Sequence, residues 1–182
     1  MQRQAEPRLA FAIMSAIHDN PLRRWLSNPL KWLQAAGLKP GHTALEVGCG
    51  PGFFTIPAAK LVGDQGRVVA LDIHPLAVRR VRQKARRAGL ANVLPIHAEA
   101  SSTGLRDGVV HVAFLFGIVH RADSYLGEVI REMWRVLRGS GILAVELHGP
   151  VRAKVVKMIE GQGFVSPERR GRIWRFCKPT AG

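Results

Sequence analysis

Short apolar segments alternate along this chain with longer stretches in which apolar residues recur every three or four positions. The first pattern is typical of buried strands and the second of amphipathic helices. Strands are predicted at residues 43–47, 67–72, 93–97, 109–116, 142–147 and 172–177, and a further strand is predicted to begin at Val165. Helices are predicted at residues 53–62, 76–88 and 151–160, and from Asp123 or Ser124 to a stop at Gly139. A helix that contains Trp25 and Leu33 is expected before the first strand, broken or restarted at Pro29.

The alternation of strands and helices predicts an α/β fold, a Rossmann-like doubly wound, mostly parallel sheet with helices on both faces. No repeat, linker or low-complexity tract interrupts the pattern, so a single domain over residues 1–182 is expected. It divides into a helical lead-in (1–40), a core (41–150) and a C-terminal helix with terminal strands (151–182). The helix after the first strand requires that Pro57 fall in its first turn, where a missing N–H is tolerated.

The turn between the first strand and its helix reads Gly-Cys-Gly-Pro-Gly at residues 48–52. In doubly wound sheets ligands bind beyond the carboxyl ends of the strands, and glycines let the backbone approach them closely. The free N–H groups at the start of the following helix attract a negative group. A dinucleotide-binding turn would carry its third glycine one residue later, which disfavours a nicotinamide-dependent (NAD) oxidoreductase. Glu46, two residues before the first glycine, instead suits a ligand that carries an ammonium group.

Acidic residues lie at or just after the ends of two more of the predicted strands. Asp72 ends the second strand, where an acid accepts hydrogen bonds from ribose hydroxyls. Glu99 follows the third strand and is placed to meet an adenine amino group or another donor. Together with Glu46, these acids outline a pocket for a ribosyl ligand that bears an amine.

Residues 46–52, Glu-Val-Gly-Cys-Gly-Pro-Gly, resemble the first motif of the class I S-adenosylmethionine (SAM)-dependent methyltransferases, especially the small-molecule group related to the ubiquinone and menaquinone methyltransferases. Asp72 is similar to the ribose-binding acid of that family, and residues 138–143, Arg-Gly-Ser-Gly-Ile-Leu, resemble its turn into the fifth strand. The resemblance implies the class I methyltransferase architecture, SAM as cofactor, and direct in-line transfer of a methyl group to a small-molecule acceptor. It also implies that residues 41–150 bind the cofactor and that residues 1–40 cover the substrate.

The residues that the resemblance assigns to the cofactor lie in the glycine turn and at the ends of the next strands. They are Glu46, Gly48, Cys49, Gly50, Gly52, Asp72, Ile73, Glu99, Ala100 and Phe116. Cys49 is interpreted as a packing residue, because methyl transfer needs no covalent enzyme intermediate. Phe116 either lines the adenine or methyl pocket or packs in the core. The family often has Asp-Ala where this chain has Ala98-Glu99, and an aspartate in place of His111, which is interpreted as a hydrogen-bonded core residue.

A general base is needed only if the acceptor arrives protonated, and it should titrate near neutrality. Histidine meets that requirement. His120 follows the fourth strand at the rim of the predicted pocket and is a catalytic candidate; the alternative is an exposed loop residue. Glu146 and His148 end the fifth strand on the same rim and are further candidates, with the alternative that they satisfy loop backbone groups.

The charge of the chain suggests an anionic partner. Its 182 residues include 27 Lys and Arg against 13 Asp and Glu, a net charge of +14. Residues 1–40 hold six basic and two acidic residues, residues 76–90 hold six and none, and residues 151–182 hold eight and two. These segments would suit RNA or a membrane surface as a weak partner, and RNA or an anionic phospholipid as an alternative substrate. Solvated faces of packing helices are the alternative explanation of the basic segments, and a noncatalytic protein that binds the cofactor is a further alternative to an enzyme.

No apolar run reaches the roughly 20 residues of a transmembrane helix, and the first ten residues lack the apolar core of a signal peptide. Cys49 and Cys177 lack the neighbours of a zinc site or a disulfide scaffold, so no metal is expected. These features favour a cytoplasmic location.

Overall fold

The computed structural model describes residues 28–120 and 123–180, and the strands of this part of the chain form one seven-stranded sheet. The strands are β1 (Thr43–Val47), β2 (Arg67–Asp72), β3 (Val93–His97), β4 (Val110–Leu115), β5 (Leu137–Glu146), β6 (Val165–Arg170) and β7 (Ile173–Cys177). Their order in the sheet is β3-β2-β1-β4-β5-β7-β6. Strands β1 to β5 run parallel, and β7 runs antiparallel to both β5 and β6. The order reverses between β1 and β4, which places the topological switch point at the carboxyl end of β1.

Helices cover both faces of the sheet. Those described are α1 (Pro29–Ala35), α2 (Thr55–Val62), α3 (Pro75–Arg87), α4 (Ser124–Val136) and α5 (Arg152–Gly161). Because successive side chains of a strand point to opposite faces, Ala44 packs with α1 and α2, whereas Leu45 packs with α4 and α5. Val81 of α3 packs with Ala70 of β2. Ala70 lies two residues after Val68 and therefore on the same face of the sheet, and Val68 belongs to the cluster that packs against α1. α3 therefore covers the same face as α1. The predicted α/β fold with a mostly parallel sheet is confirmed.

The described part of the lead-in begins with α1. Pro29 is the first residue of this helix, and the side chain of Asn28 caps it by accepting a hydrogen bond from the amide of Lys31. A helix therefore begins at Pro29, in agreement with the predicted boundary, whereas Trp25 and the rest of residues 1–27 lie outside the described residues. None of the helices described here is both long enough and apolar enough to cross a membrane.

The bounds of most elements agree with the predictions within two residues. Pro57 is the third residue of α2 and lies inside its first turn, as required. The exception is the junction of α4 and β5. The helix ends at Val136 and not before Gly139, and β5 begins at Leu137, five residues earlier than predicted.

Backbone pairing explains the early start of β5. Val110 of β4 pairs with Leu137, but two residues later the partner is Ile142, so β5 bulges between its two paired parts. Lys178 joins this bulge to the end of α4, because its ammonium donates to the carbonyls of Trp134 and Leu137, each at 2.7 Å. Local periodicity cannot predict a contact with a residue so distant in the sequence.

A buried carboxylate fixes the connection between β3 and β4. Glu132 of α4 is 8% exposed and accepts hydrogen bonds from the amide and the hydroxyl of Thr103, at 2.8 and 2.6 Å. The guanidinium of Arg135 donates to both oxygens of Glu132, at 2.7 and 2.8 Å, and also contacts Asp107. The hydrogen bonds from Arg135 lower the pKa of Glu132 to about 2, with burial opposing them and Thr103 assisting.

We expect Glu132→Gln to lower the free energy of unfolding by about 1.5–3 kcal/mol at pH 7, because hydrogen bonds to a charged group are lost. The carboxylate stabilises the fold above pH 4.5, the pKa of the unfolded residue, and this stabilisation is lost as the pH falls towards 2. Urea unfolding at pH 7 and pH 3 measures both effects. The difference in the free energy of unfolding between wild type and Glu132→Gln should be smaller at pH 3 than at pH 7.

The control is Glu128→Gln, at an exposed position of the same helix, which should change stability by less than about 0.5 kcal/mol. If the difference in the free energy of unfolding between wild type and Glu132→Gln did not change with pH, that would contradict stabilisation by the ionised carboxylate.

Candidate active site

The glycine turn at the carboxyl end of β1 has a backbone that glycine adopts most readily. Gly48, Gly50 and Gly52 have φ angles of 73°, 49° and 84°. The amide of Gly48 donates to the carbonyl of Leu71 at 2.8 Å, which aligns the turn with the end of β2. A Cβ at Gly48 would lie 2.7 Å from Cγ2 of Ile118. Because Gly48 has no side chain, the backbone of the turn therefore lies directly against the loop after β4, at the switch point of the sheet.

The carboxylate of Asp72, at the end of β2, holds the glycine turn in place. Its Oδ2 accepts a hydrogen bond from the amide of Gly50, and its Oδ1 accepts one from the amide of His74, both at 2.8 Å. Burial raises the pKa of Asp72 above its ordinary value, although the amides of His74 and Gly50 oppose that shift. A carboxylate oxygen can accept more than one hydrogen bond, so Asp72 retains the capacity to receive hydroxyl donors.

Glu46 lies beneath the turn and not at an open rim. It is 3% exposed, and one of its oxygens accepts a hydrogen bond from the hydroxyl of Thr55. Burial raises the pKa of Glu46 from 4.5 to about 8, while the Thr55 hydroxyl lowers it and Asp72 raises it. At neutral pH the carboxyl therefore keeps its proton. An approaching cation would favour its ionised form, so the position remains suited to an ammonium group.

Two of the predicted cofactor contacts are core residues in this structure. Cys49 is 3% exposed beside Ala70, and burial raises the pKa of its thiol, which makes it a poor nucleophile and fits the predicted packing role. Phe116 is 7% exposed, with its ring 5.7 Å from that of Trp32 and 5.1 Å from that of Phe54. Contact of either side chain with a cofactor stays a prediction.

Lys84 contacts the turn although its sequence context predicts a solvated surface charge. Its ammonium donates to the carbonyl of Pro51 at 2.7 Å and so ties α3 to the glycine turn. The other basic side chains of α3 are exposed; they are Arg79, Arg80, Arg82, Arg86 and Arg87. Helical periodicity carries no signal that separates Lys84 from them, because its partner lies on another element.

The remaining predicted contacts follow β2 and β3. Ile73 comes directly after β2, and Nε2 of His97 lies 2.8 Å from its carbonyl oxygen. Glu99 is half-buried after β3 and accepts a hydrogen bond from the hydroxyl of Tyr125 at 3.1 Å, with Ala100 half-buried beside it. The predicted cofactor residues of the turn thus lie at the same end of the sheet as those after β2 and β3, where these parallel strands have their carboxyl ends. In the described part of the chain, no group of three or more His, Cys, Asp or Glu side chains is arranged to hold a metal ion.

Glu146 positions the loop after β4. It is 8% exposed, and its Oε2 accepts a hydrogen bond from the amide of Gly117 at 2.9 Å. Arg172 and His148 approach its Oε1 at 3.9 and 4.0 Å. These contacts favour the interpretation in which Glu146 satisfies loop backbone. His120 and His148 are exposed, and a role as base stays a prediction for both.

Comparison with known sequences agrees with this geometry. The pattern of the methyltransferase domain family matches residues 44–141. The chain is 29% identical over 135 residues to the ubiquinone/menaquinone biosynthesis C-methyltransferase UbiE of Enterobacter sp. (strain 638), and 28% identical to the protein of that name from Escherichia coli (strain HS). Each alignment covers 72% of this chain and 53% of the relative, so the chain spans about half the length of these relatives.

Solved structures show the same likeness. A SAM-dependent methyltransferase from Aquifex aeolicus superposes with a TM-score of 0.74 at 27% identity, covering 90% of this chain and 95% of that one. A geranyl diphosphate C-methyltransferase from Streptomyces coelicolor, solved with Mg²⁺, geranyl diphosphate and S-adenosyl-L-homocysteine, superposes with a TM-score of 0.69 at 15% identity, covering 81% and 64%. At that identity the second likeness shows the fold alone. The predicted resemblance and the predicted fold class are confirmed.

We expect Glu46→Gln to raise the free energy of unfolding at pH 7.5 and to leave it nearly unchanged at pH 4. Above pH 4.5 the unfolded residue ionises, while the folded residue keeps its proton up to about pH 8. Unfolding then releases a proton, so native stability falls as the pH rises through this window, by on the order of 2–4 kcal/mol at its upper end. Glutamine can keep the hydrogen bond from Thr55 and removes this cost, which urea unfolding at both pH values measures.

The matched control is Glu160→Gln, at an exposed position of α5, which should have the same small effect at both pH values. A Glu46→Gln protein less stable than wild type at pH 7.5 would mean that the native carboxylate is ionised, in conflict with a buried, protonated group.

Proposed function

Because the chain belongs to the methyltransferase domain family, we propose that it binds SAM at the carboxyl ends of β1, β2 and β3 and transfers the methyl group to a small organic acceptor beside β4 and β5. The observation that carries the proposal is the glycine turn at the switch point of the sheet, held by Asp72 and backed by Glu46. Ligands of doubly wound sheets bind at this point.

The chemistry of the turn fits the parts of SAM. Gly48, Gly50 and Gly52 give the turn a conformation that glycine favours and that suits the close approach of the methionine portion, and the buried Glu46 would ionise to counter its ammonium group. Asp72 has acceptor capacity for the ribose hydroxyls, since its two hydrogen bonds to backbone amides leave lone pairs free. Glu99 and Ala100, after the neighbouring strand, would border the adenine.

When bound, SAM supplies a methyl group that is attached to a positively charged sulfur. The sulfur is the leaving group and becomes a neutral thioether. The acceptor atom would bond to the methyl carbon as the carbon–sulfur bond breaks, and any proton on the acceptor would pass to a base or to water. The chain has to hold the acceptor in line with that bond and to exclude water. The rings of Trp32, Phe54 and Phe116, with centroids 5.1 to 5.7 Å apart, form an apolar wall on one face of the sheet that would serve this exclusion.

The loop after β4 would form the acceptor side. Its start is fixed by the hydrogen bond from Gly117 to Glu146, and the side chain of Ile118 is 37% exposed next to the glycine turn. An exposed apolar side chain at this place favours an acceptor with apolar surface. His120, exposed on the same loop, is the proposed base, and His148 is the second candidate.

The names of the relatives support a small organic acceptor, since they describe methylation at carbon in ubiquinone and menaquinone biosynthesis. Their particular substrates are not assigned to this chain, which spans about half their length. A single domain over residues 1–182, with residues 1–40 as a cover over the acceptor, is part of the proposal. A cytoplasmic location and a weak anionic partner stay predictions.

We expect Asp72→Asn to weaken SAM binding about tenfold or more. The amide nitrogen of asparagine cannot accept a hydrogen bond, so either Gly50 or His74 loses the partner of its amide. A buried donor without a partner costs about 1–3 kcal/mol, which corresponds to a factor of roughly 5–150 in affinity if the turn has to be reordered on binding. Isothermal titration calorimetry with SAM measures this change.

Asp64→Asn, at an exposed position before β2, is the control for this variant and should bind SAM as wild type does. Unchanged affinity in Asp72→Asn would remove Asp72 from the proposed site. Binding of NAD without binding of SAM would point to an oxidoreductase.

We expect methyl-labelled SAM, incubated with the protein and fractionated cell extract, to label the small-molecule fraction. Asp72→Asn should lose most of that label, because it binds the cofactor weakly. Label in RNA or in phospholipid would contradict a small-molecule acceptor and identify the macromolecule or lipid as the substrate. SAM binding with no labelled product would indicate a noncatalytic protein.

The same assay tests the base once an acceptor is found. His120→Asn should slow transfer, since the asparagine side chain cannot take up the proton of the acceptor. His148→Asn is the comparison, and an effect confined to it would transfer the role to His148.

A further inference from the structure

A second concave site lies at the opposite end of the sheet from the glycine turn. It is a cavity of about 460 Å³ below the end of α1, near the amino end of β1. Its polar lining comprises Gln34, Lys39, His42, Ser140, Arg170 and Arg175. β1 spans five residues, so about 16 Å separate the cavity from the turn at roughly 3.3 Å per residue. The proposed cofactor cleft uses none of these side chains.

The antiparallel edge of the sheet supplies the arginines of this cavity. Arg175 of β7 lies directly opposite Ala144 of β5 and Glu168 of β6, and Arg170 lies opposite Ile173. Side chains that oppose each other across strands share a face of the sheet. Because Ala144 and Ile173 both pack in the cluster on the α1 face, Arg170 and Arg175 are carried to the side of the sheet where α1 ends.

Two buried nitrogen atoms in the lining have no partner. Nε of Arg175 and Nδ1 of His42 are shielded from solvent and make no hydrogen bond within the described residues. Buried polar atoms without a partner are rare, and each costs about 1–3 kcal/mol. His111, stacked on His42 at 4.8 Å, is hydrogen-bonded as predicted, with its Nδ1 accepting from the amide of Thr43. Nε of Arg175 is a donor, so its missing partner has to be an acceptor, which a ligand oxygen could provide once the side chains around it shift.

Positive charge dominates the cavity. Lys39, Arg170 and Arg175 contribute three cations, and the anion that the structure places beside them is Glu168, 2.7 Å from Arg170 and 3.5 Å from Arg175. Burial lowers the pKa of His42, and nearby groups that include Lys39 lower it further. A concave surface with excess positive charge attracts anions.

We propose that this cavity binds a small phosphate-type anion, of which inorganic pyrophosphate is the simplest probe. The guanidinium of Arg175 matches phosphate oxygens with its fork of donors, and Lys39 adds a charge at the exposed rim. About 460 Å³ accommodates a phosphate group with a small organic body attached. Binding here does not depend on the proposed methyl transfer.

Isothermal titration calorimetry of the full chain with inorganic pyrophosphate, at constant ionic strength, tests the proposal. We expect saturable binding at one site, weakened about tenfold or more by Arg175→Gln and about threefold by Lys39→Gln. Arg82→Gln removes an exposed charge from α3 and, as the matched control, should leave the affinity unchanged. Arg175→Gln should bind SAM as wild type does, which separates loss of this site from damage to the cofactor cleft.

Lack of saturable binding to the wild type, or an equal loss in Arg82→Gln, would overturn the proposal. If Arg175→Gln fails to fold, Lys39→Gln decides the outcome, since Lys39 is exposed and its removal leaves the core intact. A short single-stranded RNA is the second probe and separates free phosphate compounds from nucleic acid. RNA binding that pyrophosphate does not displace, and that all three variants weaken equally, would assign the phosphate affinity to the basic surface and overturn a cavity site.

Discussion

The carboxylate of Asp72 is the constraint on which the proposed cofactor cleft depends. It binds amides from two segments that are distant in sequence, the glycine turn after β1 and the start of α3, and so fixes the ends of neighbouring strands relative to each other. Lys84 completes the arrangement from α3 by binding the carbonyl of Pro51. The turn is held by protein groups before any ligand arrives. A ligand therefore does not have to supply the free energy that orders it.

Local sequence patterns predict the part of the fold that local physics determines. Strands β1 to β4 are short apolar runs and α3 has an apolar stripe, so their bounds follow from periodicity. Glu46, Asp72 and Glu99 could be grouped because the carboxyl ends of parallel strands meet at one edge. The extent of β6 could not be predicted, since this strand is exposed along its whole length and carries no apolar alternation. The early start of β5 goes with its pairing to Val110 and with contacts from the distant Lys178, neither of which local periodicity signals.

Charged side chains with distant partners are the part of the site that sequence patterns do not predict. Lys84 and Glu146 look like surface or rim residues in the sequence, yet each binds a backbone group of a neighbouring loop. Whether a charge is solvated or paired depends on neighbours that only the fold brings close. The net charge of +14 likewise combines the exposed arginines of α3 with Arg175, whose guanidinium lies in a cavity.

The buried carboxyl of Glu46 gives the cleft a further property. Without a ligand it holds a proton at neutral pH, and a bound cation would take over the role of that proton. The entry of a positively charged cofactor would then be matched by the departure of a proton, and the net charge of this low-dielectric region would not change. Cofactor binding would acidify an unbuffered solution, and cofactor affinity would rise with pH below about 8. In its electrostatics, the cleft would behave as a proton–cation exchanger.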